Sequence, residues 1–407
     1  MNKPKIRFKG FEGEWKKVKI GDVAPLTGGF AFQSGQFKTS GVPIIRISNI
    51  LSSGIVGGDF VYYNEFKGDS EFRLYKGDVV IAMSGATTGK VATFEANDFG
   101  YQNQRVGKFS RTNLVNYELL SKLVSAPNFQ KKIISKLTSS AQPNASSKDI
   151  DSIDLVVPKE TEEQRALASY FTSLDAQIAA STSRLSSLKQ IKAASLLNMF
   201  PQKGETVPRV RFKEFQGEWK EVKLSSIAIF SKGQGYSKSD LRENGHPIIL
   251  YGRMYTKYQF VINEVDTFSN LKGAYVLSEG NEIIMPASGE TSEDIACASA
   301  VLAKGIILGG DLNIVRFDLK KYSTPFLALT ITYSKTHYDL SKCAQGKSVV
   351  HLHNEAISKI AVSVPSLPEQ RAIASYFTAL DAQITLQRER LEKLKQIKAA
   401  CLEKMFA

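Results

Sequence analysis

The feature that most constrains this chain is that its sequence nearly repeats itself. Residues 4–24 match residues 208–228 at 12 of 21 positions, and residues 163–200 match residues 369–406 at 26 of 38 positions. The stretches between these matches are much less alike. Because a repeat on this scale indicates copies of one structural unit, we expect two halves with the same framework and different inserts. Such a chain is suited to read one target at two non-identical places.

The composition predicts a folded protein with an anionic partner. At 407 residues the chain is too long for one compact core, and its hydrophobic fraction of 43% is normal for globular proteins. The net charge is +13 and the pI is about 9.4. This excess of positive charge favours nucleic acid as the partner, with a merely basic protein as the simpler alternative.

Nothing in the sequence indicates export or a membrane. The N-terminal residues have no apolar core of a signal peptide, and no run of 18 apolar residues is present. The three cysteines, Cys297, Cys343 and Cys401, are widely spaced, which is typical of unpaired thiols in a reducing compartment. We therefore expect a cytoplasmic protein without membrane contact.

Each copy of the longer repeat is predicted to form a single helix. Its apolar residues recur at spacings of 4, 3, 4, 7 and 3 without interruption by Gly or Pro, and 38 residues give a helix about 57 Å long. One apolar stripe does not stabilise so long a helix alone, so we expect the two copies to pair as an antiparallel coiled coil. Packing of each helix on its own domain is the alternative. The predicted seam of the helix pair consists of Leu167, Phe171, Leu174, Ile178, Leu185, Leu188, Ile373, Phe377, Leu380, Ile384, Leu391 and Leu394.

The start of each long helix carries the pattern of a capping box. Thr161 stands three residues before Gln164, and Ser366 stands three residues before Glu369. In a capping box the two side chains satisfy each other's backbone amides at the helix terminus. We therefore predict that Gln164 and Glu369 act locally, within the first turn.

The predicted fold class is α+β, with two mixed α/β globular domains separated by two long antiparallel helices in a pseudo-two-fold internal repeat. The inserts, at about 25–157 and 229–364, contain short apolar runs typical of buried strands as well as helical patterns. The predicted boundaries are 1–160 for the first domain, 161–200 for the first long helix, 201–207 for a linker, 208–365 for the second domain and 366–407 for the second long helix.

No motif in the chain predicts catalysis, a cofactor or a metal. The loop Gly85–Lys90 resembles a phosphate-binding loop but has three residues between its glycines instead of four, and Val91 follows the lysine. His351 and His353 lack a Cys or carboxylate at ligand spacing. DNA amino-methyltransferases carry a motif that contains a Pro-Pro pair. The chain has no such pair, so this motif is absent. We expect no catalytic residue, no cofactor and no metal.

Polar and basic residues cluster in glycine-rich loops of both inserts. Arg, Lys, Asn and Gln are the side chains that read base edges or hold phosphates, and Glu290 could accept from a cytosine amino group, with a solvated or capping loop as the alternative. The candidate DNA-binding residues are Phe30, Arg46, Ser48, Asn49, Ser84, Thr87, Thr88, Lys90, Gln102, Asn103, Arg105, Lys232, Tyr236, Lys238, Arg253, Tyr255, Lys257, Ser288, Glu290 and Thr291.

These patterns resemble the specificity (S) subunits of type I restriction–modification systems over almost the whole chain. The most specific marks are the doubled segments that end in SLDAQI (residues 173–178) and ALDAQI (residues 379–384), after EQRALASYF and EQRAIASYF. The stretches GVPIIR (41–46) and GHPII (245–249), together with SGATTGKVA and PASGETSED, are similar to the family as well.

The resemblance implies two target-recognition domains, each of which reads half of a split double-stranded DNA sequence, and two helices that set the gap. It implies two methyltransferase (M) subunits docked on the chain, motor–nuclease (R) subunits in the complex, and no catalysis by the chain itself. The bases read do not carry over from the resemblance.

Two other interpretations remain open from the sequence. A tandem-repeat DNA-binding regulator would act without enzyme partners and would bind DNA specifically as an isolated chain. An enzyme that uses the SGATTGK loop would bind ATP.

Overall fold

Each half of the chain builds a mixed domain and contributes one long helix. The computed structural model describes residues 3–137, 144–346 and 348–406. By its contacts the chain divides into two units. The first runs up to Thr182 and includes the stretch from Glu389 onward, and the second is Ser183–Arg388. The division therefore falls inside both long helices.

Ten strands and five helices are found in the described residues of the first half. The strands are β1 (Lys16–Lys19), β2 (Leu26–Thr27), β3 (Val42–Ile45), β4 (Val61–Tyr63), β5 (Arg73–Leu74), β6 (Val79–Ala82), β7 (Val91–Thr93), β8 (Gly100–Gln102), β9 (Val106–Phe109) and β10 (Asp154–Val157). The helices are α1 (Ile20–Val23), α2 (Tyr117–Ser125), α3 (Pro127–Leu137), α4 (Ser147–Asp151) and α5 (Thr161–Asn198), with 3-10 turns at Ser34–Gln36, Ile47–Asn49, Asp69–Phe72 and Gly85–Thr87.

The second half repeats this plan with longer central strands. Its strands are β11 (Lys220–Lys223), β12 (Ala228–Lys232), β13 (Leu241–Arg242), β14 (His246–Ile249), β15 (Val261–Ile262), β16 (Phe268–Ser269), β17 (Leu277–Glu279), β18 (Glu282–Pro286), β19 (Ser288–Gly289), β20 (Ser299–Val301), β21 (Lys304–Leu308), β22 (Leu312–Phe317), β23 (Val350–His351) and β24 (Ala361–Val364). Its helices are α6 (Leu224–Ile227), α7 (Arg253–Thr256), α8 (Ser292–Ile295), α9 (Thr324–Tyr333), α10 (Lys335–Ser341), α11 (Asn354–Lys359) and α12 (Leu367–Met405), with a 3-10 turn at Lys238–Asp240.

Two sheets in each domain share the same pairing scheme. In the first domain the strand orders are β2-β9-β6-β7 and β4-β3-β8-β5, and in the second they are β12-β22-β18-β20-β15 and β13-β16-β14-β21-β17. One pairing in each domain is parallel at the same place, with Ile45 opposite Gln102 and Ile249 opposite Leu308. The mixed α/β domains expected from the sequence are therefore present twice, and the inserts differ in detail on one plan.

A short antiparallel ladder links the beginning and end of each domain. Strand β1 pairs with β10, so that Lys16 lies opposite Val157, and β11 pairs with β24, so that Lys220 lies opposite Val364. Strands β10 and β24 lead within a few residues into the long helices. The short sequence repeat thus lies beside the entry to the longer one in each unit.

The two long helices pair within each unit. In the first unit Asp175 of α5 accepts a hydrogen bond from Lys122, and Lys398 of α12 forms an ion pair with it at 2.6 Å. In the second unit Lys192 of α5 contacts Asp381 of α12 at 2.5 Å. Because Lys192 and Asp381 are the repeat counterparts of Lys398 and Asp175, the same contact is made twice with the helices in exchanged roles.

The predicted seam is divided between helix contacts and domain cores. Leu188, Leu380 and Ile384 form a buried cluster with the half-buried Leu185. Leu167 and Phe171 instead belong to the core of the first domain, and Ile373 and Phe377 belong to that of the second. Leu174 and Leu391 are buried, whereas Ile178 and Leu394 are half-buried. Packing on the domains, the alternative interpretation, therefore applies to the N-terminal turns, because periodicity shows which face is apolar but not what covers it.

The predicted capping boxes are not formed as expected, because the residues concerned make tertiary contacts. The Gln164 side chain accepts from the backbone N–H of Asn116 at 2.8 Å and donates to the carbonyl of Pro158 at 2.9 Å. Both carboxylate oxygens of Glu369 accept from Arg211. The first turn of each long helix is thus held by residues far away in the sequence.

Candidate nucleic-acid interface

Five segments of the first domain meet at one edge, where strands β3, β6 and β8 end. Backbone hydrogen bonds hold them together. They run from Phe30 N to Gln102 O (2.9 Å), from Asn103 N to Ile45 O (3.1 Å), from Met83 N to Arg105 O (2.9 Å) and from Ala145 N to Met83 O (2.8 Å). The glycine-rich loops identified in the sequence are therefore neighbours in space.

The second domain builds the corresponding edge with the same four bonds. They run from Gln234 N to Leu308 O (3.1 Å), from Gly309 N to Ile249 O (2.9 Å), from Ala287 N to Asp311 O (2.8 Å) and from Leu352 N to Ala287 O (3.0 Å). This set of four bonds, which we call the edge frame, assigns each position in one domain a partner in the other. Arg105 thereby corresponds to Asp311, and Asn103 corresponds to Gly309.

A glycine permits the closest approach in each edge frame. A Cβ on Gly29 would lie 2.3 Å from the carbonyl oxygen of Gln102, and a Cβ on Gly233 would lie 1.9 Å from that of Gly309. Any side chain would force these strand ends apart, since such distances lie far inside van der Waals contact. The glycines of the two loops therefore build the edge, and other residues supply its chemistry.

Basic and hydroxyl side chains are accessible along the edge of the first domain. Ser48 and Arg105 are exposed, and Arg46 and Lys90 are half-buried. Within the described part of the chain, the buried Nε of Arg46 has no hydrogen-bond partner. The 3-10 turns that carry Ser48 and Thr87 pack against each other, which brings these residues onto one surface.

Two candidates of the first domain lie in its interior. Asn49 is 1% exposed, and its amide donates to the carbonyls of Gly57 and Asp59 while its oxygen accepts from Arg46 N. Gln102 is fully buried and donates to the carbonyls of Thr27 and Val106. Because both amides are engaged within the domain, neither residue is proposed to contact DNA.

The remaining candidates of the first domain have mixed environments. Phe30 is half-buried in an aromatic cluster, with its ring centroid 4.9 Å from that of Phe32. Ser84 is buried, the hydroxyl of Thr88 donates to the carbonyl of Gly85, and Asn103 accepts a long bond from Arg105 N. Thr87 is half-buried. These side chains support the edge more than they extend from it.

In the second domain two basic candidates are engaged by one carboxylate. Arg253, which is 9% exposed, contacts Asp266 at 2.5 Å and donates to Gln259 at 3.0 Å, and Lys257 contacts Asp266 at 2.6 Å. Hydrogen bonds from Lys257 and Arg253 hold the pKa of Asp266 well below its usual range. Because this carboxylate stays ionised, it retains both cations within the domain.

Tyrosine and hydroxyl candidates of the second domain also make internal bonds. The hydroxyl of Tyr236 accepts from Lys272 N at 3.0 Å, and the hydroxyl of Tyr255 donates to the carbonyl of Ser288 at 2.8 Å. Burial raises the pKa of Tyr255, so the phenol remains a donor. Thr291 caps α8 by accepting from the Asp294 amide at 3.0 Å.

Exposed charges remain on the edge of the second domain. Lys232, Lys238 and Glu290 are exposed. Asp311, which the sequence patterns did not single out, is exposed as well, and its φ of +58° lies in the left-handed region that most residues avoid. Asp311 is the counterpart of Arg105 in the edge frame. The sequence could reveal this only through the difference in residue number between equivalent positions of the two halves, and that difference changes by two residues between β14 and β21.

Other kinds of site find little support in the described residues. Over residues 3–137, 144–346 and 348–406, no three Cys, His, Asp or Glu side chains are grouped so as to hold a metal ion. His351 and His353 stack with ring centroids 6.2 Å apart. No helix within those ranges is both long and apolar enough to cross a membrane.

The geometry provides two rigid edges that present hydrogen-bond donors, acceptors and charges from fixed backbones. The protein is therefore a duplicated structure, in which one fold presents two different surfaces. Comparison with known families identifies it further. The chain belongs to the family described as the type I restriction modification DNA specificity domain, whose model matches residues 12–190 and again residues 216–396.

Individual relatives agree with this family. The chain is 27% identical over 179 residues to the type I restriction enzyme EcoBI specificity subunit of Escherichia coli, a match that covers 44% of this chain and 36% of that protein. It is 19% identical over 397 residues to the type I restriction enzyme MjaVIII specificity subunit of Methanocaldococcus jannaschii, covering 95% of this chain and 90% of that one.

A solved structure matches the fold along the whole chain. The type I restriction–modification S subunit from M. genitalium superposes with a TM-score of 0.62 at 15% identity, covering 100% of this chain and 99% of the other. At this identity the likeness concerns the fold, which is the duplicated architecture described above.

Proposed function

We propose that this chain is the DNA-recognition subunit of a type I restriction–modification complex, in which each domain reads one half of a bipartite target. One observation carries the proposal: the same edge frame is built twice and presents different side chains each time. A shared frame allows both domains to approach a duplex in the same way, while different side chains allow them to read different bases. We take residues 1–160 and 208–365 as the two recognition domains.

The proposed DNA contacts of the first domain are Arg46, Ser48, Lys90 and Arg105. Three of them are basic, which suits phosphate oxygens or the O6 and N7 acceptors of guanine. Thr87 and Thr88 lie in the same loop as Lys90 and are proposed to support its conformation. Phe30, Ser84 and Asn103 are proposed to support these loops from behind.

The proposed contacts of the second domain are Lys232, Lys238, Glu290 and Asp311. Carboxylates at a DNA surface face repulsion from phosphates, and they are favourable where a base amino group donates to them, as cytosine N4 does. Tyr236, Tyr255, Ser288 and Thr291 hold the loops through their internal bonds. Arg253 and Lys257 act through Asp266 and not on DNA.

The helices are proposed to dock the M subunits, two per chain. A groove of about 270 Å³ lies between α5 and α12 in the second unit. Six lining residues are Arg184, Leu188, Ile191, Tyr376, Leu380 and Gln383, and the residues at the corresponding repeat positions in the first unit are identical, namely Arg390, Leu394, Ile397, Tyr170, Leu174 and Gln177. Ile191 and Ile397 are 48% and 38% exposed. An apolar residue that is exposed at the same position in both units contributes little to folding. It is better explained by the binding of one copy of the same partner protein to each unit.

We further propose that the chain has no catalytic activity of its own, and that M subunits methylate DNA and R subunits translocate and cleave it. This rests on the family and on the lack of a methyltransferase motif in the sequence. A cytoplasmic location is proposed on the same family grounds, and the three cysteines are free thiols.

The test is to express the chain with its cognate M subunit in a methylation-free host and to sequence the modified bases across the genome. We expect one bipartite motif with a fixed spacer, and none when the chain is omitted. Native mass spectrometry of the purified complex should give two M subunits per chain. Methylation without a split motif, or a chain that binds DNA specifically and recruits no M subunit, would contradict the proposal.

A further inference from the structure

In each short sequence repeat a half-buried arginine pairs with a buried glutamate in the first turn of a long helix. Arg7 donates from Nε and Nη2 to the two carboxylate oxygens of Glu163, both at 2.7 Å. Arg211 makes the same two bonds to Glu369, again at 2.7 Å. Glu163 and Glu369 are each 1% exposed. These pairs span 156 and 158 residues of sequence, and they lie outside both edges and the groove between the helices.

Each arginine also fixes the loop in which it lies. Nη1 of Arg7 donates to the carbonyl of Gly13 at 2.6 Å, and Nη1 of Arg211 donates to that of Gly217 at 2.6 Å. One guanidinium therefore links the loop of the short repeat to the start of the helix. Its planar fork defines the angle between the two as well as their distance.

The same segments hold the end of the other long helix. In the first unit the backbone N–H of Lys5 donates to the carbonyl of Lys404 at 2.9 Å, and in the second unit that of Val210 donates to the carbonyl of Asn198 at 2.9 Å. We call residues 4–19 and 208–223 the braces. Each brace contacts the start of one long helix, the end of the other, and the last strand of its domain through β1 or β11.

Stability alone does not account for an ion pair at this place. A buried ion pair is often no more stabilising than well-packed apolar residues of similar volume, because the desolvation of both charges offsets their attraction. What an apolar pair cannot supply is a defined orientation. The bidentate geometry, repeated at equal distances in both units, indicates that orientation is what the pair contributes.

We propose that Arg7 with Glu163, and Arg211 with Glu369, are positioning residues that hold each recognition domain at one angle to the helix pair, so that the complex accepts a single spacer length. The inference rests on the proposed function, since it concerns the spacing of the two half-sites. A domain of about 150 residues is roughly 38 Å across, so a rotation of roughly 5° at the brace moves its far edge by about 3.4 Å. That displacement equals the rise of one base pair of B-DNA.

One difference between the two braces decides the better place for a test. The indole Nε1 of Trp15 donates to Glu163 at 3.2 Å. The indole Nε1 of Trp219, its counterpart, is buried without a partner in the described part of the chain. Replacement of Glu369 therefore leaves no donor newly unpaired on a tryptophan, whereas replacement of Glu163 does.

The experiment compares Arg211→Met/Glu369→Leu with the wild-type chain, each in complex with its M subunits, by genome-wide sequencing of methylated bases. We expect unchanged half-sites with added methylation at spacers one base pair longer and shorter, reaching at least a tenth of the wild-type signal. Arg211→Lys, which keeps the charge but loses the fork, should show the same change to a smaller extent. Arg209→Met removes an exposed arginine of the same segment and serves as the control, with an unchanged spacer.

The outcomes distinguish a failure of the proposed function from a failure of the positioning role. If the wild-type complex methylates no bipartite motif, the proposed function fails, whatever the variants do. If it does, and both Arg211 variants assemble and methylate only the wild-type spacer, the positioning role is overturned and the function stands. If neither Arg211 variant folds, the pair is needed for stability and the positioning role is likewise rejected.

Discussion

Where the edge of the first domain presents Arg105, the edge of the second presents Asp311. The backbone carbonyls of these two residues accept equivalent hydrogen bonds, from Met83 N in one domain and from Ala287 N in the other. The first edge is basic, with Arg46 and Lys90 beside Arg105, while the second combines lysines with exposed carboxylates. The difference shows that the frame fixes the position of a side chain on the edge, and that the charge at that position can change sign.

The largest expected effect comes from replacing one edge entirely. Exchange of residues 25–157 for those of a relative should change one half of the methylated motif and leave the other half and the spacer intact, because each domain has its own core. Sequencing of methylated genomic DNA measures both halves at once. A change in both halves, or in neither, would refute the idea of two independent readers.

The next effect concerns the distance between the readers. One added helical turn of about four residues, inserted after Ala180 and also after Leu386, lengthens each helix by roughly 6 Å. The spacer should grow by one to two base pairs at about 3.4 Å each, with both half-sites kept. Insertions in both helices preserve the matched register, which an insertion in one helix would break. Methylation confined to the old spacer would show that the M subunits set the gap.

Point changes at the paired positions test the contrast between the two edges directly. If Arg105 contacts a base, Arg105→Ala should cost about 1–3 kcal/mol in DNA binding and relax one position of one half-site. If it contacts a phosphate, affinity should fall equally for all sequences, and the salt dependence should weaken by about one ion. Lys90→Ala and Arg46→Ala provide the comparison within the same edge. Unchanged binding by all three variants would place the DNA surface elsewhere.

Asp311 allows a sharper version of that test. Asn tolerates the left-handed backbone as well as Asp does, so Asp311→Asn removes the charge without disturbing the loop. A carboxylate that accepts from a base amino group should lose discrimination at one position when it is replaced. If the charge only repels phosphates, Asp311→Asn should instead tighten binding and leave the motif unchanged. Glu290→Gln is the matched variant in the same domain.

The smallest expected effect compares the helix pairs of the two units. Asp175 contacts Lys122 and Lys398, whereas Asp381 contacts Lys192. Despite the opposing effect of burial, hydrogen bonds from the two lysines lower the pKa of Asp175. Asp175→Asn should therefore destabilise the chain by about 0.5–1 kcal/mol at pH 7, since the carboxylate is partly exposed, and by more than Asp381→Asn does.

The pH dependence of that effect has a defined sign. A lowered folded-state pKa stabilises the fold above the unfolded value of about 3.9, and this contribution is lost as the pH falls through the folded pKa. The free energies of unfolding in urea of Asp175→Asn and wild type should therefore converge as the pH falls below about 3.9 and through the folded-state pKa. A difference that does not shrink as the pH falls would mean that the side chain acts through packing and not through its charge.

Local patterns in the sequence were sufficient to predict the duplication, the two long helices and the mixed domains between them. Identity at fixed offsets indicates a repeated unit, and helix periodicity is a property of neighbouring residues. The loops that meet at each edge were also recognisable, because glycine marks the places where backbones approach closely. Asn49 and Gln102 are of the residue types that read DNA, but the burial of their amides is a property of the folded domain and was not visible in the sequence.

Contacts across the chain decided the rest. Glu369 had the spacing of a local helix cap, yet it binds an arginine 158 residues away, and such a bond leaves no periodic trace in the sequence. The seam showed the same limit, since Phe171 and Phe377 lie on the apolar stripe and pack into domain cores. The sequence alone determined the repeated plan and the apolar face of each long helix, whereas tertiary structure selected the partners of individual side chains, because only folding brings distant groups within bonding distance.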